Sequence, residues 1–343
     1  MILIIHNEGD LYNLDDCSGT GYQIVKFCSL FSRSVQIDER YVDEKLIKIY
    51  DSVGSIVIFV TRATNYLKSF KSAKTIYWSH NFYLPPNKSE IHAFDKIVGV
   101  STFHQLWLTL KFRRPCYRVY NTYNIEKPTN ILRDYNKLSV AFVGSLNKSK
   151  GFHDFIDIVN EVAKCVDSVT VKIFGDGNSA HLIKPLTKNS SVIVEYYGRR
   201  DKKFIHKQLS TTIFLLYGLS ESGPSETFGL SFLDAQMCGC LPITINRGAC
   251  IEIVDASLHA YSLKHNQSQI IDLLCNYKPE NAEEYSTALV DGYTASSKFS
   301  DSNFKKTWGD VLDSRNWPNY DLSLAMRYFV REFRKFTIKK LNR

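Results

Sequence analysis

Two carboxylates and a glycine-marked turn form the densest chemical pattern in the chain. They lie in Glu221-Ser-Gly-Pro-Ser-Glu-Thr-Phe-Gly-Leu-Ser-Phe-Leu-Asp-Ala-Gln-Met-Cys-Gly-Cys-Leu-Pro, after the apolar run Ile213–Tyr217. Pro224 and Gly229 shape a turn, and a helix is predicted to start close to Gly229. The free amides of such a start bind phosphate without a side-chain cation. Glu226 lies just before the start and Asp234 lies inside the helix, separated by about 12 Å of helical rise, less where the first residues are loop. One acid then suits the sugar end of a phosphorylated ligand. The other suits ribose hydroxyls, because a carboxylate accepts two hydrogen bonds from a vicinal diol. The plainer alternative makes Glu226 a helix cap and Asp234 a solvent-facing helix residue.

Further candidates follow other apolar runs. Ser139–Val143 leads into Gly144-Ser145-Leu146-Asn147-Lys148-Ser149-Lys150-Gly151, which puts Lys150 at a predicted helix start, either gripping an anion or simply solvated. Phe174-Gly175-Asp176-Gly177 and Tyr197-Gly198-Arg199-Arg200 close two more runs. Ser18-Gly19-Thr20-Gly21 reads as a loop that lets backbone approach a ligand, with a helix from Gly21 towards Phe31. It lacks the dinucleotide fingerprint, so a redox cofactor is not expected. His80 and Asn81 follow the run Thr75–Trp78; a lone histidine there is either a ligand contact or a satisfied core residue.

Short apolar strands alternating with helices must position these groups. Strands are predicted over Met1–Ile5, Ser55–Val60, Thr75–Trp78, Ile97–Val100 and Tyr117–Tyr120, with a helix from the N-cap Ser101 to Leu110. The polar stretch Glu126–Lys137 reads as a linker. The pattern then restarts: strands Ser139–Val143, Val169–Phe174, Val192–Tyr196, Ile213–Tyr217 and Leu241–Ile245 alternate with helices Phe152–Val162, Lys202–Ser210 and Leu230–Cys238. A further helix begins at Gln267, and Leu322, Met326, Phe329, Phe333 and Phe336 line one face of a last one. This is an α/β chain with two Rossmann-like parallel-sheet domains facing across a cleft, at 1–130 and 137–320. Parallel α/β sheets bind ligands at the C-terminal ends of their strands.

The bulk numbers agree with a soluble globular protein. The chain has 343 residues, 44% apolar and 23% charged, enough for two domains. The net charge of +8 is scattered, apart from a modest cluster over Arg327–Arg343. Nucleic-acid binding would rest on charge alone and is not expected. The eight cysteines show no zinc-knuckle or redox-dithiol spacing, and no metal cluster is visible. A reducing, cytoplasmic location fits them. The four sequons, at Asn87, Asn147, Asn189 and Asn266, carry little weight without a signal sequence. Met1–Ile5 is too short for a signal core and nothing approaches a membrane span, so peripheral contact is the most a membrane would offer.

The segment Pro224-Ser225-Glu226-Thr227-Phe228-Gly229-Leu230, with Asp234, Ala235, Met237, Cys238 and Gly239, resembles the signature of the retaining glycosyltransferases of family 4, in the GT-B class. The second acid is usually Glu in that family; Asp234 has a shorter arm. Gly144 to Gly151 resembles the family's diphosphate grip, in which Lys150 matches the lysine and Ser145 replaces an arginine. Lys148, Arg199 or Arg247 could compensate. The Tyr197-Gly198-Arg199-Arg200 segment resembles the loop near the nucleotide base, Glu252 a further family acid, and Ser18-Gly19-Thr20-Gly21 the glycine-rich loop near phosphate and acceptor. His80 matches a histidine near the transferred sugar, and Asn121 the end of the last N-terminal strand.

The resemblance implies that a hexosyl group moves from a GDP- or UDP-sugar to a glycan or other acceptor hydroxyl, with retention and without a bound metal. His80, Glu226 and Lys150 would be catalytic. Gly19, Gly21, Ser145, Lys150, Arg199, Phe228, Gly229, Leu230 and Asp234 would bind the donor. It also implies that residues 321–343 pack back on the N-terminal domain. The short length and Asn/Lys/Ile-rich composition resemble glycosyltransferases encoded by large DNA viruses, whose setting would be the host cytoplasm. Alternatives are a nucleotide-sugar epimerase, a phosphorylase, or a degenerate sugar-nucleotide-binding protein.

Overall fold

A computed structural model describes residues 1–9, 11, 18–82, 90–123, 133–219, 226–245, 247–254, 267–281, 296–313 and 318–328. The chain divides into two compact units, Met1–Asn124 with Phe299–Arg343, and Ile125–Lys298.

The first unit carries strands β1 (Ile2–His6), β2 (Ser34–Asp38), β3 (Ile56–Val60), β4 (Lys74–Trp78), β5 (Lys96–Gly99) and β6 (Tyr117–Arg118). They form one parallel sheet in the order β2-β1-β3-β4-β5-β6. Helices α1 (Gly19–Leu30), α2 (Glu44–Tyr50) and α3 (Thr102–Phe112) connect them. The near-continuous apolar runs of β1, β3 and β4 are what burial on both faces requires. Leu3, Ile5, Val57, Phe59 and Tyr77 share one core cluster. Trp78, the next residue in β4, joins a second with Phe27 and Trp308, its ring 4.9 Å from that of Trp308.

The second unit contains β7 (Ser139–Val143), α4 (Phe152–Val162), β8 (Val169–Phe174), α5 (Ile183–Leu186), β9 (Val192–Gly198) and α6 (Lys202–Leu209), then β10 (Phe214–Leu216), α7 (Leu230–Met237), β11 (Leu241–Ile243), α8 (Cys250–Ile253) and α9 (Gln267–Cys275). Its parallel sheet runs β11-β10-β7-β8-β9. The chain builds outward from β7 to β9, then returns to add β10 on the other side of β7. The switch point between β7 and β10 is where an open α/β sheet leaves a crevice at its strand ends.

Three expectations differ in detail. The sequence pattern left Ser34–Asp38 without a strand, but the segment pairs in register with β1 at the sheet edge. Gly19 and Gly21 are not loop residues: both lie in the first turn of α1. Trp308 and Phe304 belong to α10 (Asp301–Leu312), which packs in the first unit, whereas the pattern carried the second domain to residue 320. After α10, the Tyr320 hydroxyl accepts from the Cys116 amide at 3.1 Å, and α11 (Leu322–Tyr328) packs on α3. The expected helical stripe at Phe329, Phe333 and Phe336 lies outside the described residues.

Candidate functional site

Lys150 is held at the end of β7 by its own loop. Asn147 caps the short turn Lys148–Lys150 by accepting from the Lys150 amide at 2.9 Å. Gly151 then takes a left-handed φ of +78°, which lets the chain swing into α4. The turn after β8 braces this loop: a Cβ on Gly175 would lie 1.9 Å from the Gly144 carbonyl oxygen, and the Leu146 amide donates to the Asp176 carbonyl at 2.9 Å. The Gly175-Asp176-Gly177 turn is therefore a wedge that shapes the lysine loop.

From this position the Lys150 ammonium donates to both oxygens of Glu226, at 2.9 and 3.2 Å. The Tyr217 hydroxyl, from the residue after β10, donates to the same carboxylate at 3.1 Å. Glu226 is 11% exposed in its side chain and Lys150 38%. Burial first, then the Glu226 carboxylate, raises Tyr217 above the ordinary tyrosine range, so it donates as a neutral phenol. The Glu226 carbonyl also accepts from the Ala249 amide at 3.0 Å, which fixes the acidic residue through its backbone.

Helix α7 starts beside this group. Its cap residue Gly229 has φ +90° and, as a glycine, brings no capping side chain of its own. Ser231 ties that turn to β7 by donating to the Val143 carbonyl at 3.0 Å. The Phe228 side chain is buried in the core, so only its backbone is available to a ligand. Leu230 is half-buried, while Ser145 and Arg199 are exposed. Asp234, one turn further along α7, is buried and accepts from His206 Nε2 of α6 at 2.8 Å. It is thus neither solvent-facing nor a cap.

The remaining candidates lie in the first unit. Ser18 caps α1 by accepting from the Gly21 amide at 3.0 Å and donates its own hydroxyl to Glu8. One amide of the α1 start is therefore spent, and a carboxylate near it disfavours an anion there. His80 is 8% exposed, its ring 4.6 Å from that of Trp78. Burial, and secondarily His104, lower its pKa to about 3, so it is a neutral hydrogen-bonding group at ordinary pH. Thr61, at the end of β3, has φ +54°, an uncommon conformation for a β-branched residue.

The geometry thus gathers Lys150, Glu226 and the α7 start around the β7/β10 switch point, and adds Tyr217, Asn147 and His206, which motif reading passed over. Tyr217 was visible only as the last residue of an apolar run, and His206 as a lone histidine on a lysine-rich helix. Among the described residues, no group of His, Cys, Asp and Glu side chains is placed to hold a metal ion, and no helix is long and apolar enough to cross a membrane.

The chain superposes on solved structures over most of its length. The fold is GT-B. S. aureus TarM in a complex with UDP superposes with a TM-score of 0.63 at 17% identity, over 79% of this chain and 57% of that one. Anabaena HepE in complex with UDP gives 0.67 at 14% identity, over 91% of this chain and 99% of that one. The pneumococcal O-GlcNAc transferase GtfA, in complex with UDP and GlcNAc, gives 0.58 at 14%, over 78% and 58%. This chain therefore spans little more than half the length of TarM and GtfA, and nearly all of HepE. The family model for glycosyl transferases group 1 matches residues 125–285. That match replaces the family 4 assignment suggested by the signature around Glu226. No curated protein matches the chain.

Proposed function

We propose that the protein is a glycosyltransferase that moves a hexosyl group from a nucleoside diphosphate sugar to an acceptor hydroxyl, with retention of anomeric configuration. The observation that carries this reading is the Lys150–Glu226 pair beside the glycine-led start of α7, at the β7/β10 switch point. As the bond from the sugar to the β-phosphate breaks, negative charge grows on the departing diphosphate. Lys150 and the amides at Phe228, Gly229 and Leu230 stabilise it. As Lys150 turns to the phosphate, Glu226 is freed to accept from sugar hydroxyls, with Tyr217 still holding one oxygen. Asp234 takes the nucleotide ribose. Neutral His80 hydrogen-bonds the sugar without adding charge. UDP appears in the complexes of TarM, HepE and GtfA, which supports a UDP-sugar as the first donor to try.

The test is a donor screen with UDP-glucose, UDP-GlcNAc and GDP-mannose. A true donor raises the melting temperature by linkage and slowly releases its nucleoside diphosphate. With an acceptor, the product keeps the donor's anomeric configuration by NMR. If no nucleotide sugar stabilises or is consumed, the proposal fails. Binding without turnover would make the protein a sugar-nucleotide receptor, and a changed sugar nucleotide without acceptor would make it an epimerase.

A further inference from the structure

Asp234, the acid of the donor-binding set, reaches across from α7 to α6. Its carboxylate, 11% exposed in its side chain, accepts from the imidazole Nε2 of His206, which is 34% exposed. The two residues come from helices that follow adjacent turns of the chain but different strands, β9 and β10, and α6 packs on α7. The start of α6 is fixed in turn, because Asp201 accepts from the Phe204 amide at 2.8 Å.

An aspartate side chain left alone samples several rotamers and rotates freely about its last torsion. The hydrogen bond from His206 removes that freedom before any ligand arrives. It engages Oδ1, one of the two oxygens of the carboxylate, and so fixes the plane in which the group lies. Ordering a group in advance raises affinity by removing a cost that binding would otherwise carry. A histidine also suits the place better than a lysine in one respect: its N–H is held in a planar ring, so the donor direction is set by the ring's packing.

Taking Asp234 as the ribose acceptor in the proposed function, we infer that His206 is a positioning residue for Asp234, holding its carboxylate in the orientation that receives the ribose hydroxyls of the donor nucleotide. His206 itself does not touch the nucleotide. The assignment makes a specific demand: loss of His206 must weaken binding only of ligands that carry ribose hydroxyls.

The experiment uses the full chain and two probes, UDP and 2′,3′-dideoxy-UDP, titrated calorimetrically into wild type, His206→Ala, His206→Gln, Asp234→Asn and the double variant His206→Ala/Asp234→Asn. A hydrogen bond to a charged group sets the scale, so His206→Ala should bind UDP about tenfold more weakly. Its affinity for the dideoxy probe should stay at the wild-type level. His206→Gln, whose amide nitrogen can occupy the place of Nε2, should recover most of the loss for UDP. The double variant should bind UDP no more weakly than Asp234→Asn alone, because His206 acts through Asp234.

Several results would overturn the inference while leaving the proposed function standing. One is UDP binding to His206→Ala at wild-type strength. Another is equal loss for both probes, with no recovery by glutamine, which would mark a plain helix–helix tie. A third is an additive loss in the double variant, which would mean that His206 contacts the nucleotide directly. Should the alanine variant melt, the glutamine variant decides: a wild-type ratio of UDP to dideoxy affinity supports the inference, and a collapsed ratio overturns it. Failure of the wild-type protein to bind either probe would instead sink the functional reading, and the role of His206 with it.

Discussion

Because Lys150 donates to both oxygens of Glu226, and Tyr217 to one of them, the cation after β7 meets a ligand already neutralised. A diphosphate must compete with Glu226 for it. Lys150→Ala should therefore weaken UDP binding and slow transfer together, by about tenfold or more in binding, the scale of a lost charge-assisted hydrogen bond. Donor Kd and single-turnover rate at fixed ionic strength check this, and unchanged values would reduce Lys150 to a structural partner of Glu226. Glu226→Gln behaves oppositely. It removes a competitor for the ammonium and a negative charge near the phosphates, so UDP should bind as well as to wild type or better while turnover falls. Asp234→Asn should cost about tenfold in affinity for UDP and for the sugar donor alike. Equal small losses in both acid variants, with transfer intact, would refute the division of labour between them.

At the scale of elements, the start of α7 depends on a backbone conformation that only glycine adopts easily. Gly229 has φ +90°, and a Cβ there would lie 2.7 Å from the Phe232 ring. Gly54 has a similar φ of +87° with nothing within 4 Å. The pair separates backbone strain from crowding. Gly54→Ala should cost about 1 kcal/mol in a urea titration, the lower end of the strain range. Gly229→Ala should cost more and should also weaken UDP binding, because the α7 amides move with the displaced Phe232. Equal costs, with unaltered binding, would show that α7 tolerates a side chain at its start. The same elements show what the sequence could reveal. Buried strands such as Ile56–Val60 and Ser139–Val143 read clearly as apolar runs because both faces are covered. Ser34–Asp38 did not, since an edge strand with half-exposed residues carries no such run. Lys150 and Glu226 were legible from their motifs. Their contact was not, because it follows from the return of β10 to the side of β7. Tyr217 and His206 escaped because single residues without periodicity become informative only when a partner from a distant segment is in place.

At the scale of the whole molecule, stability should respond to pH through histidines that the first unit buries without charge. His104 is fully buried; the Val100 amide donates to its Nδ1, and its Nε2 lies 3.1 Å from the Asn81 carbonyl, which fixes the Nε2–H tautomer. Burial lowers the pKa of both His80 and His104 from 6.5 to about 3, and it lowers that of His6 as well. Above pH 6.5 these imidazoles are neutral whether the chain is folded or not, and their contribution to stability is fully present. As pH falls below 6.5 the unfolded chain takes up protons that the folded chain refuses, so stability drops until the folded pKa is reached near 3. Asp38 does not blur this window: hydrogen bonding from Arg40 holds its carboxyl at about 2, so its own loss comes at lower pH. Each histidine should add a slope approaching about 1.4 kcal/mol per pH unit. Urea midpoints measured from pH 7 down to pH 4.5 should therefore fall, and His104→Gln should flatten the fall by one histidine's share, because glutamine fills much of the space and does not titrate. Hydrogen exchange read across the chain should place the early opening in residues 75–123, while UDP at pH 7 should protect the segments around Gly144–Gly151 and Glu226–Ser231. A midpoint that stays level to pH 4.5, or an equal slope in the glutamine variant, would mean that the native fold admits protons at these rings, and the neutral hydrogen-bonding role assigned to His80 would fall with it.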